Sequence, residues 1–348
     1  MVFNPVGEIV GPIYALTAVI LLILISWAGV RGLGLTGFFG IVVPYLAAIL
    51  FFTGFLHRLI KWSKAPNPFR IPTTGGQQKS LGWIKHSTTD NPYTTFQVIL
   101  RLATEVFLFR SLFRNLSLHP QTGTQHVSYA SAKWLWLFAI AFHYALFTTL
   151  FRHLHFFTNP VPAPVRLVQN LDGWLEIGLP QVMVSGLILL GAVMVLFARR
   201  IFLPKLRYIS LLNDYFPLFL LMAIATTGAL MRYVAGIDTT SVKELAMGLI
   251  TFHPAVPDGI GVLFFIHFFL VCSLAAYFPF SKLMHAPGLF FSPTRNLASN
   301  NRAFFHPNPW NRPVAFHKYA DYENHFREKM VEAGIPLDQD PPFPGSKE

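Results

Sequence analysis

Six stretches of this chain run on without Asp, Glu, Lys or Arg: residues 9–30, 32–56, 134–151, 177–198, 215–231 and 259–281. A bilayer core takes about 20 apolar residues as helix, so each stretch predicts a transmembrane helix. The fifth is the shortest, and Arg232 at its end can reach the interface by snorkelling. The polar positions between spans predict less regular structure. "KWSKAPNPFRIPTTGGQQKSLGWIKHSTTDNP" is rich in Pro, Gly and Thr and reads as loop. "TTFQVILRLATEVFLFRSLFRNL" places Arg101 and Glu105, then Arg110 and Arg114, four apart amid apolar residues. That pattern predicts an amphipathic helix, lying on the membrane surface or a partner, or packed on the spans. The tail is polar and Pro-rich, with one helix predicted at "KYADYENHFREKM". The expected organisation is two N-terminal spans (1–61), a loop with an amphipathic helix (62–131), a four-helix domain (132–285) and a tail (286–348). The fold class is an all-α integral membrane protein with about six transmembrane helices.

Composition agrees. Apolar residues make up 53% of the chain and charged residues 12%, where soluble domains carry about 25% charged. The net charge of +11 would suit nucleic acid, but its distribution points elsewhere. With the N-terminus inside, residues 58–133 hold ten Lys and Arg, 199–213 hold four and 282–348 hold eight. That is 22 of 27 on the cytoplasmic side, as the positive-inside rule expects. The charge therefore reports topology: membrane lipid is the partner and nucleic acid is not. Both termini are expected on the cytoplasmic side of the cell's inner membrane. The single cysteine, Cys272, excludes an intrachain disulfide framework and any Cys-ligated iron–sulfur cluster built by this chain alone. "MVFNPVGEIVG" lacks a basic n-region, so the first span is expected to be retained.

Histidines interrupt the apolar pattern. The third span carries His143 and His153, ten apart, with His155 just beyond. The sixth region, "FFIHFFLVCSLAAYFPFSKLMH", carries His267 and His285, eighteen apart, or about five helical turns. A lone intramembrane His is more often interhelical glue than a ligand; four at matched spacings are not. The third span runs outward and the sixth inward. His143 therefore meets His285 near the inner face, and His153 meets His267 near the outer face. Helical rise separates the ligands by ~15 Å on one helix and ~27 Å on the other, a mismatch that a bend at Pro279 would absorb. Zinc wants its ligands at one point; these sit at two depths. Two haem b groups, each with two imidazoles, fit that arrangement. No C-x-x-C-H motif exists for covalent attachment. His155 is the alternative outer ligand.

These spacings, with "TFH" and "FPFSKLMH", resemble the cytochrome b (gamma) subunit family of respiratory nitrate reductases over about residues 130–290. That resemblance implies the same crosswise di-haem ligation. The two N-terminal spans and the long inside loop depart from that pattern. "PFRIPTTGGQQKSL", "DNP" and "NPWNRPVAFHKYADYENHFREKM" resemble the DsrM family, cytochrome b subunits of a membrane complex of dissimilatory sulfur metabolism. This second resemblance runs over nearly the whole chain. It implies menaquinone as substrate and a cytoplasmic DsrK-like iron–sulfur partner similar to heterodisulfide reductase. A multihaem cytochrome c, another iron–sulfur subunit and a further membrane subunit are implied with it. The nitrate reductase relatives use a basic residue in the outer loop after the third span to contact quinone. Here that loop offers Arg166, with Asp172 and Glu176 nearby. His155, Arg166, Glu176 and His253 are thus the outer-facing candidates for quinol hydrogen bonding, a role that needs groups titrating near the working pH. Two rivals are a proton-coupled transporter, which would bury charges deep in its spans, and a structural anchor without haem.

Overall fold

The computed structural model describes residues 5–67, 70–71, 76–120, 127–175, 181–306 and 318–338. Six helices are long and apolar enough to cross a membrane: Val10–Gly32, Phe38–Ser63, Lys133–Phe156, Val184–Phe202, Leu212–Ala235 and Val262–Phe280. All six predicted spans are present. The fourth begins at Val184 rather than at 177, because Val182 pairs with Leu175 in an isolated antiparallel bridge and Met183 is extended.

The spans bury little of themselves. Ile13, Leu21, Leu46, Phe52, Phe147 and Leu187 are each about half exposed or more. In water such a surface would drive aggregation; in a bilayer it is the lipid-facing belt. Burial is confined to narrow seams. Val19, Leu220, Ile266 and Leu270 pack the first, fifth and sixth spans together. Val30, Phe39, Phe264 and Phe265 meet Leu245 and Leu249 of the short Thr239–Ile250 helix.

Packing order matters for the site. The third span lies mainly against the fourth, the fourth against the fifth, and the fifth against the first and sixth. The sixth also packs on the second. The third and sixth spans are not closely packed on each other. The space between these two helices, whose backbones are not in close contact, is called the slot.

The loop before the third span is a built layer. Thr94 caps the Thr95–Leu108 helix by accepting from Gln97 N, while Gln97 Oε1 accepts from Tyr93 N at 2.7 Å. Its amphipathicity is turned outward. Val98, Arg101 and Glu105 form the buried face, while Phe96, Ile99, Leu100 and Phe107 are exposed. Asp90 organises what lies beneath. Its carboxylate accepts from Arg110 and Arg114 at 2.6 Å each, and its carbonyl accepts from Arg70 and Arg101, also at 2.6 Å. The Arg110 hydrogen bond leads in holding Asp90 well below the usual carboxylate range. Burial pushes the Arg101 guanidinium down to about 10, still charged at neutrality. Asn91 accepts from Arg70 at 3.0 Å and donates to the Gly76 carbonyl at 2.6 Å, and the Pro92 carbonyl takes Ser299 N. Arg70 and Gly76 are thus tied by hydrogen bonds to Asp90 and Asn91 of the "DNP" stretch.

The predicted 23-residue amphipathic run is not one helix. It stops at Phe109, whose φ of 49° is left-handed, restarts over Arg110–Phe113, and gives way to an antiparallel hairpin of Leu116–Pro120 with Val127–Ser131. The tail from Phe305 onward falls, with residues 66–68, in a separate compact unit. In it the Tyr319–Glu332 helix buries Glu323 fully, with Arg327 Nη2 2.9 Å and Asp338 N 2.8 Å from its carboxylate.

Candidate functional site

The histidines fall in two groups along the slot. His143 and His285 come together, with ring centroids 5.9 Å apart and planes at 88°. His153 and His267 lie within electrostatic reach of each other. The structure thus brings His143 beside His285 and His153 toward His267. In each group one imidazole is half-buried (His143, His267) and the other exposed (His285, His153).

Each of the four holds its Nδ1 against an oxygen of the chain. His143 Nδ1 is 2.7 Å from Ala139 O and His153 Nδ1 is 2.7 Å from Thr149 O. His285 Nδ1 is 2.9 Å from Lys282 O, and His267 Nδ1 is 2.9 Å from Thr227 Oγ1. An Nδ1–H donated to oxygen leaves Nε2 as the free lone pair, which is the tautomer a metal ligand needs. Among the described residues no group of three or more His, Cys, Asp or Glu comes together. The ligand chemistry available is thus pairs of imidazoles facing an apolar slot. That donor set suits haem, which needs only axial ligands and apolar walls, and does not suit a four-ligand zinc site.

One expectation needs correction. His267 and His285 do not share a continuous helix of five turns. The regular helix ends at Tyr277, and two short 3-10 turns follow, Phe278–Phe280 and Lys282–Met284, before His285 opens a new helix. Pro279 lacks an N–H and breaks the ladder rather than bending it. Arg58 of the second span takes up the freed carbonyls, with Nη1 2.6 Å from Pro279 O and 3.2 Å from Ser281 O. Gly54, one turn earlier, lets this corner approach: a Cβ there would stand 2.8 Å from Pro279 Cβ. Lys282 is anchored by Asp214 at 2.6 Å.

His143 sits in an aromatic shell. Phe109 and Phe142 approach its ring edge-on at 4.9 and 5.0 Å. The left-handed Phe109 is therefore a strained backbone position that carries a contact with His143, at a cost of roughly 1–3 kcal/mol. Tyr144 Oη and Trp136 Nε1 bond the Phe107 and Leu108 carbonyls at 3.0 and 2.7 Å, fixing that turn against the third span.

Beside His153 stands a largely buried polar cluster. Arg152 Nε lies 2.7 Å from Asp172, both side chains being nearly inaccessible. Asp172 also accepts from Ser185 N and Ser185 Oγ at 2.7 Å each. Arg232 donates to Gln181 O at 2.8 Å, and Tyr233 Oη accepts from Met183 N. His155, with Nδ1 2.7 Å from Arg152 O, lies within electrostatic reach of Arg152, Arg232 and Lys243. The histidine within reach of His267 is His153. The remaining quinone candidates are not gathered here. Arg166 is exposed on the Ala163–Asp172 helix, whose buried positions are Val165 and Asp172. His253 caps the Thr239–Ile250 helix, its N bonded to Gly248 O, beside a Phe252 that stacks on Tyr45 of the second span. Glu176 lies outside the described residues. Thr227 was not singled out from the sequence, where Arg232 is read only as a snorkelling residue and Asp172 only as a neighbour of Arg166. A separate cavity of about 330 Å³ opens at the other end of the third and fourth spans, lined by Trp134, Leu135, Phe138, Leu196, Arg199 and Phe202.

Residues 93–301 match the nitrate reductase gamma subunit family. The chain belongs to that family. The first two spans lie outside the matched stretch, so the family resemblance covers the histidine-bearing half of the bundle and the layer before it. Two curated relatives extend the likeness. The "Hdr-like menaquinol oxidoreductase cytochrome b-like subunit" of Archaeoglobus fulgidus is 45% identical over 279 residues, 78% of this chain and 83% of the relative. The protein of the same description from Archaeoglobus profundus is 42% identical over 275 residues, 77% of this chain and 81% of the relative. With six apolar spans and this family, the chain is a multi-pass membrane protein.

Proposed function

We propose that this protein is a di-haem cytochrome b subunit that carries electrons across the membrane between menaquinol and a cytoplasmic iron–sulfur partner of the heterodisulfide-reductase-like, DsrK type, in dissimilatory sulfur metabolism. The observation that carries the reading is the set of four imidazoles, paired across the slot between the third and sixth spans, each with its Nδ1 held by oxygen. The printed description of the Archaeoglobus relatives, a menaquinol oxidoreductase subunit, supports the quinone side. Bound haem b would supply one-electron transfer at two depths of the bilayer. His143 and His285 would hold the inner group, His153 and His267 the outer.

The chain's own residues do the rest. Helix carbonyls orient His143 and His153. At the outer end His155 offers Nε2 to a quinol hydroxyl while Arg152 O holds its Nδ1. Asp172 fixes Arg152 beside it. Arg166, Glu176 and His253 are further candidates for that pocket. The apolar cavity beside Trp134 and Arg199 supports a second quinone position, at the inner end. The loop of residues 62–130 and the tail are the surfaces large enough for a soluble subunit, since ordinary interfaces need about 800 Å² per partner. Crosslinks to Lys79, Lys85 or Lys318 are expected from that partner; crosslinks confined to Lys243 would put it on the wrong side. The complex would also hold a multihaem cytochrome c, a second iron–sulfur subunit and a further membrane subunit.

A pyridine haemochrome assay on the purified, folded protein is expected to give about two haems per chain. A value near zero rejects the reading in favour of the transporter or the anchor.

A further inference from the structure

His267 differs from the other three histidines in what holds it. Those three use backbone carbonyls three or four residues back in their own segment. His267 turns instead to a side chain of another span, Thr227 Oγ1 at 2.9 Å. A hydroxyl is both donor and acceptor, so its role must be worked out. The one hydrogen of Thr227 is committed to its own helix: Oγ1 is 2.8 Å from Ala223 O and 3.1 Å from Ile224 O. What faces His267 is then a lone pair. The neighbour of Nδ1 is thus an acceptor, so the proton belongs on Nδ1 and the lone pair on Nε2. Thr227 is buried, which makes an unmet hydroxyl there costly and the bond persistent. The next residue is Gly228, where a Cβ would stand 3.3 Å from His267 Cε1. Any side chain would press on the ring.

We propose that Thr227 and Gly228 of the fifth span, which bears no ligand, are positioning residues for His267: the hydroxyl fixes its tautomer and tilt, and the missing side chain gives the ring its place. The proposal rests on the di-haem reading. An acceptor on Nδ1–H makes an imidazole a stronger donor to a metal, and a stronger donor favours ferric over ferrous iron. Thr227 and Gly228 therefore act on the outer site, because the Thr227 hydroxyl bonds only its own helix and His267 and the space at Gly228 faces the His267 ring; the fifth span reaches the His285 end at a different residue, through Asp214 on Lys282.

The test is a redox titration of the membrane-extracted, haem-loaded protein, resolved into its two haem components. Thr227→Val keeps the shape and removes the acceptor. It is expected to raise the midpoint potential of the outer haem by up to a tenfold change in its ferric-to-ferrous equilibrium, 59 mV for one electron, and to leave the inner haem unmoved. Thr227→Ser restores the hydroxyl and is expected to restore the potential. Gly228→Ala is expected to perturb the optical spectrum of the same component. If Thr227→Val loses the outer haem while Thr227→Ser keeps it, the hydroxyl is required and the proposal stands. If both lose it, or if Thr227→Val binds both haems with unchanged potentials, the proposal is overturned while the di-haem reading survives. A wild-type protein without haem overturns both.

Discussion

The two ends of the slot present the same donor set and build it differently. At the His153 end the support comes from within the spans: a helical carbonyl for His153, a neighbouring span's hydroxyl for His267, and a buried ion pair alongside. At the His143 end much of it comes from outside them. His285 stands after a helix break, its Nδ1 on a 3-10 turn held by Arg58 and Asp214 contacts. His143 is faced by Phe109 of the preceding layer. The difference teaches where each end is vulnerable. The His153 end depends on membrane-embedded polar groups, the His143 end on the loop layer that docks beneath it.

The sharpest way to break the comparison is to remove ligands. His143→Ala or His285→Ala is expected to abolish one haem component and spare the other, and His153→Ala or His267→Ala the reverse, read by spectra of the purified variants. Loss of the same component in His143→Ala and His267→Ala would mean that the two ends are not separate sites. Loss of the outer haem in His155→Ala, but not in His153→Ala, would move the outer ligand two residues on.

Asp172→Ala comes next in size. It leaves the Arg152 guanidinium buried without its carboxylate and strips two bonds from Ser185. Breaking one partner of a buried pair costs about 3–5 kcal/mol. Thermal unfolding in detergent is expected to show that loss, with the outer haem component disturbed and the inner one retained. Equal disturbance of both would show that the pair supports the whole bundle rather than one end.

What could be read from the chain follows the same division. Uninterrupted apolar runs and the ten-residue spacing of His143 and His153 reflect local helical periodicity, and both survive in the fold. Where a backbone leaves the helix, periodicity misleads. Residues 181–183 continue the charge-free run without being helix, and hydropathy cannot separate an extended apolar segment from a buried helical one. The eighteen-residue spacing of His267 and His285 looked like five turns, yet Pro279 ends the helix, and tertiary contacts from Arg58 place His285 instead. The Arg and Glu spaced four apart in the amphipathic helix predicted its existence but not its facing. Arg101 and Glu105 are buried because Asp90 and Arg295 wait beneath them, while Phe96 and Ile99 are exposed. Thr227 was invisible for a related reason: a hydroxyl in an apolar span has a meaning only once its neighbour across the interface is known.

Gly54→Ala tests the loop-built end more gently. The new Cβ would meet Pro279 Cβ at 2.8 Å, and backbone-bound Pro279 has little freedom to yield. Overpacking of this kind costs typically about 1–3 kcal/mol. The corner carrying His285 is expected to shift, broadening the inner haem spectrum, while the Thr227 bond and the outer haem are unaffected. An unchanged inner haem would show that His285 is placed by Lys282 and Asp214 rather than by the approach of the second span.

The smallest effect is expected from acid. Asp90 carries Arg110 and Arg114 on its carboxylate, and those bonds depress its folded pKa below the ordinary 3.8. A carboxylate whose pKa is lowered on folding stabilises the fold fully above its unfolded value, and that contribution is lost as pH falls through the folded one. The window therefore lies below about pH 4, well away from neutrality. As Asp90 protonates, Arg110 and Arg114 lose their acceptor, and the Arg110–Phe113 turn that follows Phe109 loosens. The His143 end should respond first, since Phe109 touches His143, while His267 is held by Thr227 of the fifth span. Acid titration of the haem-loaded protein is expected to move the inner component before the outer, and Asp90→Asn is expected to show the same inner perturbation at neutral pH. An outer component that moves first would mean that the loop layer does not set the environment of His143.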